Sequence, residues 1–259
     1  MKFPLIFSIL IFLVSCSFDT KSGIWDSGEP SKKEKSFLKD FEKLSYGEEV
    51  FNKIIPKKPG LNLLLSKQKS NDIWNDIYFN GSNNFINFEY SGFEQLIFKS
   101  KKLSKNKINK DILFSSGNII TSDNKGNLIV FSINQNQIVN KYNFYKKKFK
   151  KIEKILNMIV EKEIIYISDN IGYVYAYNYL ENKILWAKNY KIPFKSNLKI
   201  YENKLIASNQ NNDLYIFDKI SGEIIKLIPT EETKIKNDFV NNLSIRNEYC
   251  FFLNTYGSL

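Results

Sequence analysis

The sequence predicts an all-β chain: a partial β-propeller of four-stranded antiparallel blades, about four of them, behind a signal peptide and a short tether. Three observations carry this. A turn residue recurs at Gly126, Gly172, Asn212 and Gly257, at spacings of 46, 40 and 45 residues. A second turn residue follows ten residues after each of the first three, at Asn136, Asn182 and Gly222. The runs between these turns are rich in β-branched and aromatic residues, as strands are.

Each turn column holds only glycine and asparagine, the residues that most readily take a left-handed backbone. A constant ten-residue interval implies two turns joined by one strand of fixed length. Those strands are Asn127–Ile133, Tyr173–Tyr179 and Asp213–Lys219. The strand before the first turn is Asn118–Ser122, Ile164–Ser168, Lys204–Ser208 and Tyr249–Leu253 in successive repeats. Ahead of it lies an apolar run at Ile112–Ser115, Ile155–Val160, Leu198–Tyr201 and Leu243–Arg246. After the second turn come Gln137–Phe144, Lys183–Tyr190 and Glu223–Ile228. Four short strands in about 40–46 residues make one propeller blade. The connectors near 145–154 and 230–242 fall between blades, where insertions are tolerated. Leu61–Ser66 reads as a strand, and Trp74–Phe98 as weakly marked strands of an atypical first blade. A closed propeller of seven or eight blades takes roughly 300 residues or more. The chain is therefore expected to be the N-terminal part of a longer protein, or else a half-propeller that pairs with a second copy.

The N-terminus has a different character. Met1 and Lys2 are followed by the apolar run Phe3–Val14, closed by Leu13-Val14-Ser15-Cys16. A run that short cannot cross about 30 Å of hydrocarbon as a helix, so residues 1–15 read as an export signal. Small residues before a cysteine after such a run resemble the box recognised by the lipoprotein signal peptidase. That resemblance implies cleavage before Cys16 and acylation of its thiol, with several acyl chains giving stable anchoring. Ser17 behind the cysteine, rather than Asp, implies the outer membrane and its periplasmic face. Residues 16–60 then form a lipidated tether, in which Phe37, Leu38, Phe41 and Leu44 have helical spacing. The propeller occupies 61–259, with clear repeats from about 110. Cys250 is the second of two cysteines. With Cys16 lipidated no intrachain disulfide is possible, and Cys250 is expected to be a buried small hydrophobe.

The formal charge of +11 is not read as a nucleic-acid footprint. Of 38 basic residues only Arg246 is arginine, whereas phosphate recognition favours the guanidinium fork. The over-use of Lys, Asn, Ile, Phe and Tyr together matches an A/T-rich codon bias. The densest basic run, Tyr145–Lys151, reads as a solvated connector, with anionic lipid or an acidic partner as the alternative. Histidine is absent, which removes the commonest general base, His-dependent triads and most transition-metal sites. Asp169, Asp213 and Asp218 stand at or beside turns, where side-chain-to-backbone bonding accounts for them. No catalytic, cofactor-binding or metal-ligating residue is assigned. The residues singled out are Cys16 for lipidation and Trp186, Gly126, Gly172, Asn212 and Gly257 for structure.

Ala176-Tyr177-Asn178-Tyr179-Leu180-Glu181-Asn182-Lys183-Ile184-Leu185-Trp186 resembles the Ala-x-Asp-x-x-Thr-Gly-x-x-x-Trp signature of quinoprotein-type propeller repeats. Asn178, Glu181 and Asn182 replace its Asp, Thr and Gly. Ile216–Gly222 keeps the Asp, a hydroxyl residue and the Gly, but Lys226 stands where Trp belongs. In the first repeat Ser132 and Asn140 occupy the Asp and Trp positions. In such repeats the tryptophan docks on the neighbouring blade, so Trp186 is expected between consecutive blades, away from any central channel. Strict alternation would place Ile184 with Trp186 on one face, and Leu185 with Ala187 on the other.

Lipobox, tether and degenerate repeats together resemble the propeller lipoproteins of the outer-membrane β-barrel assembly machinery. That resemblance implies a non-catalytic periplasmic scaffold. Its partners would be the periplasmic domains of the barrel-assembly subunit and nascent outer-membrane proteins, reached through rim loops. A generic ligand-binding or adhesion propeller lipoprotein is the alternative, and a quinone-dependent dehydrogenase a further one. The dehydrogenase chemistry needs a calcium ion held by carboxylate and amide oxygens, a catalytic Asp and a platform under the quinone. No carboxylate cluster in the sequence answers to that.

Overall fold

The computed structural model describes residues 73–84, 87–90, 98–230 and 239–259, together with Pro56, Gly60, Lys67, Gln68, Gly92 and Leu96. The chain divides into two compact units, 1–63 and 64–259, and every element below lies in the second. Cys16, the export signal, the helical spacing near residue 40 and the Leu61–Ser66 strand fall outside the described residues.

Among the described residues fourteen strands follow one another. The first sheet is β1 (Ile108–Ser115), β2 (Asn118–Asp123), β3 (Asn127–Ser132) and β4 (Gln137–Asn143). The second is β5 (Leu156–Glu161), β6 (Ile164–Asp169), β7 (Tyr173–Asn178) and β8 (Lys183–Asn189). The third is β9 (Lys199–Tyr201), β10 (Lys204–Ser208), β11 (Leu214–Asp218) and β12 (Ile224–Ile228), and β13 (Asn242–Arg246) pairs with β14 (Tyr249–Leu253). Each sheet is a meander in chain order with antiparallel neighbours, so the molecule is a partial β-propeller. Of these strands only β1 departs far from its predicted span. It starts four residues early through the polar stretch Asn109-Lys110-Asp111, with an irregular register between Ile108 and Ile112.

The turn columns have the backbone that their composition requires. At the first turn φ is +81° for Gly126, +101° for Gly172, +66° for Asn212 and +85° for Gly257. At the second turn it is +51° for Asn136, +54° for Asn182 and +72° for Gly222.

The core consists of seams between consecutive sheets. Leu113, Leu128, Val130, Met158, Val160, Ile165, Ile167 and Tyr177 fill the first seam. Ile159, Val174, Ala176, Trp186, Phe194, Leu205, Ala207 and Phe217 fill the second. Ile206, Leu214, Leu243 and Ile245 form a smaller third cluster. Middle strands β3 and β7 bury residues on both faces, because each sheet is packed from both sides.

Two expectations are corrected. Ile184 and Trp186 do not share a face. Ala176 pairs with Trp186 but Tyr177 with Ile184, which leaves Leu185 as a bulge. The extra residue turns Ile184 toward the first seam and Trp186 toward the second. The same bulge recurs at Val139 and Ile225, and all three bulged side chains are exposed. Cys250, second, is exposed rather than buried, because it sits on β14, which is paired among the described residues only with β13.

Trp74–Asn84 also differs from the blade-like strands expected of it. It forms only isolated bridges, and it touches the first strand of all four sheets in turn. Trp74 exchanges backbone hydrogen bonds with Phe114 of β1, at 2.7 and 2.8 Å. The Asn75 carbonyl accepts from Val160 of β5 at 3.0 Å, and the Gly81 carbonyl from Ile245 of β13 at 2.7 Å. Between them, Lys199 of β9 donates to Asp76 at 2.6 Å and to the Asn80 carbonyl at 3.0 Å. First strands are the innermost of a propeller, so this segment acts as an axial pin.

Candidate functional site

Trp186 lies on β8, the outermost strand of its blade, with 9% of its surface exposed. Its indole N–H donates to the Lys219 carbonyl at 3.0 Å, in the β11–β12 turn of the next blade. Gly222 closes that turn beneath the ring, and a Cβ there would lie 2.6 Å from Cδ2 and Cε3 of the indole. Glycine is required at this position twice over, by its φ and by the ring. The tryptophan is therefore a peg between two blades.

One seam earlier the same joint is built from different residues. Asn140 on β4 occupies the position of Trp186, and its amide donates to the Tyr179 carbonyl at 2.8 Å. Tyr179 stands three residues before Asn182, as Lys219 stands three before Gly222. The hydrogen bond is thus conserved between repeats while the side chain is not. Without an indole above it, the turn residue can carry a side chain: the Tyr177 hydroxyl donates to Asn182 Oδ1 at 2.6 Å and lies 3.0 Å from Asn140 Oδ1. Composition gave no sign that this polar pair does the tryptophan's work. In the third blade Lys226 holds the corresponding place on β12, and it is exposed.

The acidic and amide side chains of the first turns are engaged in a repeated way. Asp123 Oδ1 accepts from the amides of Lys125 and Asn127, both at 3.0 Å. Asp169 Oδ1 accepts from Ile171 at 2.9 Å and Tyr173 at 2.8 Å. Asn209 does the same with Asn211 and Asp213, and Asn254 with Tyr256 and Ser258. Only the one side-chain oxygen, Oδ1, is needed, so Asp and Asn serve equally. At the second turns Asn178 holds Leu180 and Glu181, and Asp218 holds Ile220 and Ser221.

What differs is the second oxygen. Asp123 Oδ2 accepts from Ser104 at 2.7 Å, Asn106 at 2.9 Å and Asn127 at 2.7 Å. Burial pushes its carboxyl up, but these donors outweigh burial and hold it below its ordinary value. Asp169 Oδ2 accepts from the Tyr145 hydroxyl at 2.7 Å. There burial wins and the carboxyl is raised, with Tyr145 and the turn amides offsetting part of it. Burial, with the Asp169 charge beside it, pushes the Tyr145 phenol well up, so it remains a donor.

On the axis, Asp76 and Lys199 form a buried ion pair with 2% and 0% of their side chains exposed. Burial raises the Asp76 carboxyl and lowers the Lys199 ammonium, and their contact opposes both shifts. A cavity of about 150 Å³ beside the pair is lined by Asn75, Asp76, Gly81, Ile159, Glu161 and Ile200. Among the described residues no group of three His, Cys, Asp or Glu side chains is placed to hold a metal ion. The structure brings none of the marked turn residues to this axis. Gly126, Gly172, Asn212 and Gly257 lie at the rim of their blades and Trp186 in a seam.

Fold and seams define the class: a partial propeller whose blades are pegged at their outer strands and pinned at their axis. No protein-family model matches the sequence, and no curated protein is similar to it. Among solved structures the chain is similar to the computationally designed Ika4 protein, at 11% identity and TM-score 0.51, over 64% of this chain and 96% of that one. It also aligns with BamB from Moraxella catarrhalis at 15% identity and TM-score 0.45, over 58% of this chain and 42% of BamB. A quinohemoprotein alcohol dehydrogenase from Comamonas testosteroni aligns at 14% identity and TM-score 0.47, over 61% and 27% of the two chains. At these identities the likeness concerns fold alone, and only the first of the three is close enough to bear on it. The chain spans less than half the length of the latter two proteins.

Proposed function

We propose that the protein is a non-catalytic, lipid-anchored scaffold at the periplasmic face of the outer membrane, assisting the assembly of outer-membrane β-barrel proteins through protein–protein contacts. The observation that supports it best is where the chemistry-bearing side chains are spent. The repeated Asp and Asn residues hold turn amides, Trp186 pegs two blades, and the chain's own Trp74–Asn84 lies across the first strands at the axis. What faces outward is rim loop and strand edge, the surfaces through which propellers contact other proteins. The lipobox at Cys16 and the tether supply the membrane address by resemblance, and the barrel-assembly role rests on the same resemblance.

Affinity capture of the tagged full chain from detergent-solubilised envelope tests this reading. The barrel-assembly subunits should co-purify in stoichiometric amounts. Their absence, with the bait folded, removes the assembly role. Titration with a quinone cofactor and calcium tests the enzyme alternative independently. A tight complex lost on Trp186→Ala would replace the scaffold with a dehydrogenase.

A further inference from the structure

The two ends of the blades differ in charge. At one end lie the first turns and the connectors between blades, since the Tyr145 ring covers Gly126 and its hydroxyl reaches Asp169. This end carries Lys125, Lys146, Lys147, Lys148, Lys150 and Lys151, all exposed. None of the six forms an ion pair among the described residues. Of the carboxylates beside them, Asp123 and Asp169 are buried and hold turn amides, and Glu153 accepts from Asn124 at 3.1 Å. At the other end the hairpin tips carry glutamates beside their lysines, and Lys219 pairs with Glu161 at 2.7 Å.

The lysine connector is a built element. Lys147–Phe149 forms a 3-10 turn, closed by amide-to-carbonyl bonds from Phe149 to Lys146, Lys150 to Lys147 and Ile152 to Phe149. Phe149 is wedged edge-on between the rings of Tyr145 and Tyr173, with centroids 6.3 and 6.1 Å away. Lys154 is buried at 1% exposure. It turns inward, its ammonium donating to the Phe149 carbonyl while its own amide donates to Asn124 at 3.0 Å. One lysine is thus spent in fixing the loop, and the rest are held outward. Exposed Ile152 and Ile155 flank them. A solvated spacer needs neither the aromatic wedge nor the buried ammonium.

We propose that this rim, loop 146–151 with Lys125, docks on an anionic phospholipid surface. Lysine ammonium groups are compact point charges, suited to a diffuse negative surface rather than to the planar fork recognition that arginine provides. Clustered lysines near a membrane gain attraction that decays within a Debye length. Two flanking isoleucines can enter the headgroup boundary. Docking of this kind would orient the propeller on the surface, which anchoring at a single point does not by itself do. The proposal is independent of the barrel-assembly role.

Lysine acetylation read by mass spectrometry tests it. The full chain is incubated with vesicles of phosphatidylcholine alone, or of phosphatidylcholine mixed with phosphatidylglycerol, then pulsed with a neutral acylating reagent. Labelling in 146–151 should fall about fivefold or more on the anionic vesicles only, and recover in about 1 M salt, where the screening length is roughly 3 Å. Lys162 and Lys183, exposed at the opposite end, should label equally throughout and report that the protein is folded. Replacing Lys147, Lys148, Lys150 and Lys151 together by Gln should abolish protection of Lys146. Equal labelling on both vesicles overturns the proposal. So does protection by a polyglutamate peptide without protection by phosphatidylglycerol, which would assign the rim to an acidic protein.

Discussion

If Trp186 is a peg seated on Gly222, the two residues must be energetically coupled, and the size of the coupling follows from the contact. Trp186→Ala removes a buried indole and its bond to the Lys219 carbonyl. Large-to-small changes of this kind cost about 3–5 kcal/mol, roughly 6–20 °C in the unfolding midpoint of a domain this size. Gly222→Ala places a Cβ 2.6 Å from two indole carbons, an overpacking worth about 1–3 kcal/mol. The left-handed φ of +72° adds about 1 kcal/mol for a residue with a side chain. In the Trp186→Ala background the steric part vanishes and only the backbone part remains. The double-mutant cycle should therefore show the pair less destabilised than the sum by about 1–3 kcal/mol. Urea titration of the purified chain, followed by tyrosine fluorescence and circular dichroism, measures all four corners. Additivity within about 0.5 kcal/mol would mean that the ring does not rest on the turn. The first seam supplies a control: Trp186→Asn with Gly222→Asn copies the Asn140–Asn182 joint and should be milder than Trp186→Ala with Gly222→Asn.

Four further outcomes are expected, three from the geometry and one from the lipobox. Asp169→Asn should be tolerated near neutral pH, because Asn209 already holds the equivalent turn. It should also remove a decline in stability as pH rises from about 4, since a raised carboxyl favours the protonated fold; a titration curve unchanged by the substitution counts against this. Asp123→Asn should cost about 1–3 kcal/mol, and should abolish the stability lost as pH falls below about 4, since its carboxyl is held below the ordinary value. Asp76→Ala should cost about 3–5 kcal/mol by stranding the Lys199 ammonium, whereas Asp76→Leu with Lys199→Met should be near neutral; equal losses would show that the pin does not depend on the ion pair. Cys16→Ala should end labelling by a fatty-acid probe and leave uncleaved or soluble protein, and a variant still labelled refutes the lipidation site.

How far such a fold is legible depends on whether a feature needs particular side chains or only backbone. The turn columns are legible because a left-handed φ is a demand on side-chain type, and Gly126, Gly172, Asn212 and Gly257 answer it at repeat spacing. The strand spans follow, because the interval between two such turns fixes their length. The bulge at Val139, Leu185 and Ile225 makes no comparable demand: any aliphatic residue can be the extra one, and alternation reads straight through it. That is why Ile184 is assigned by pattern to the wrong face. The axial pin is hidden for the same reason, since Trp74–Asn84 meets β1, β5 and β13 through main-chain atoms. Its side-chain pairs, Asp76 with Lys199 and Asn83 with Asn242, join residues 123 and 159 positions apart, which local periodicity cannot span.

The first seam shows a subtler limit. Judged against the tryptophan signature, Asn140 looks like an erased repeat, yet it keeps the one hydrogen bond by which the tryptophan addresses the next blade. The lost indole volume is made up from elsewhere, by Tyr142 tilted against Tyr177 and Phe144 edge-on to it, with centroids 4.9 and 5.6 Å away. What the repeat preserves is a donor aimed at one carbonyl and a filled space beside it, and several residue sets satisfy both. A search for the signature therefore undercounts blades. Counting left-handed turn residues instead recovers them, because φ has fewer chemical solutions than volume. By that measure the protein is a regular propeller arc with variable pegs, and the variability falls on the seams rather than on the turns.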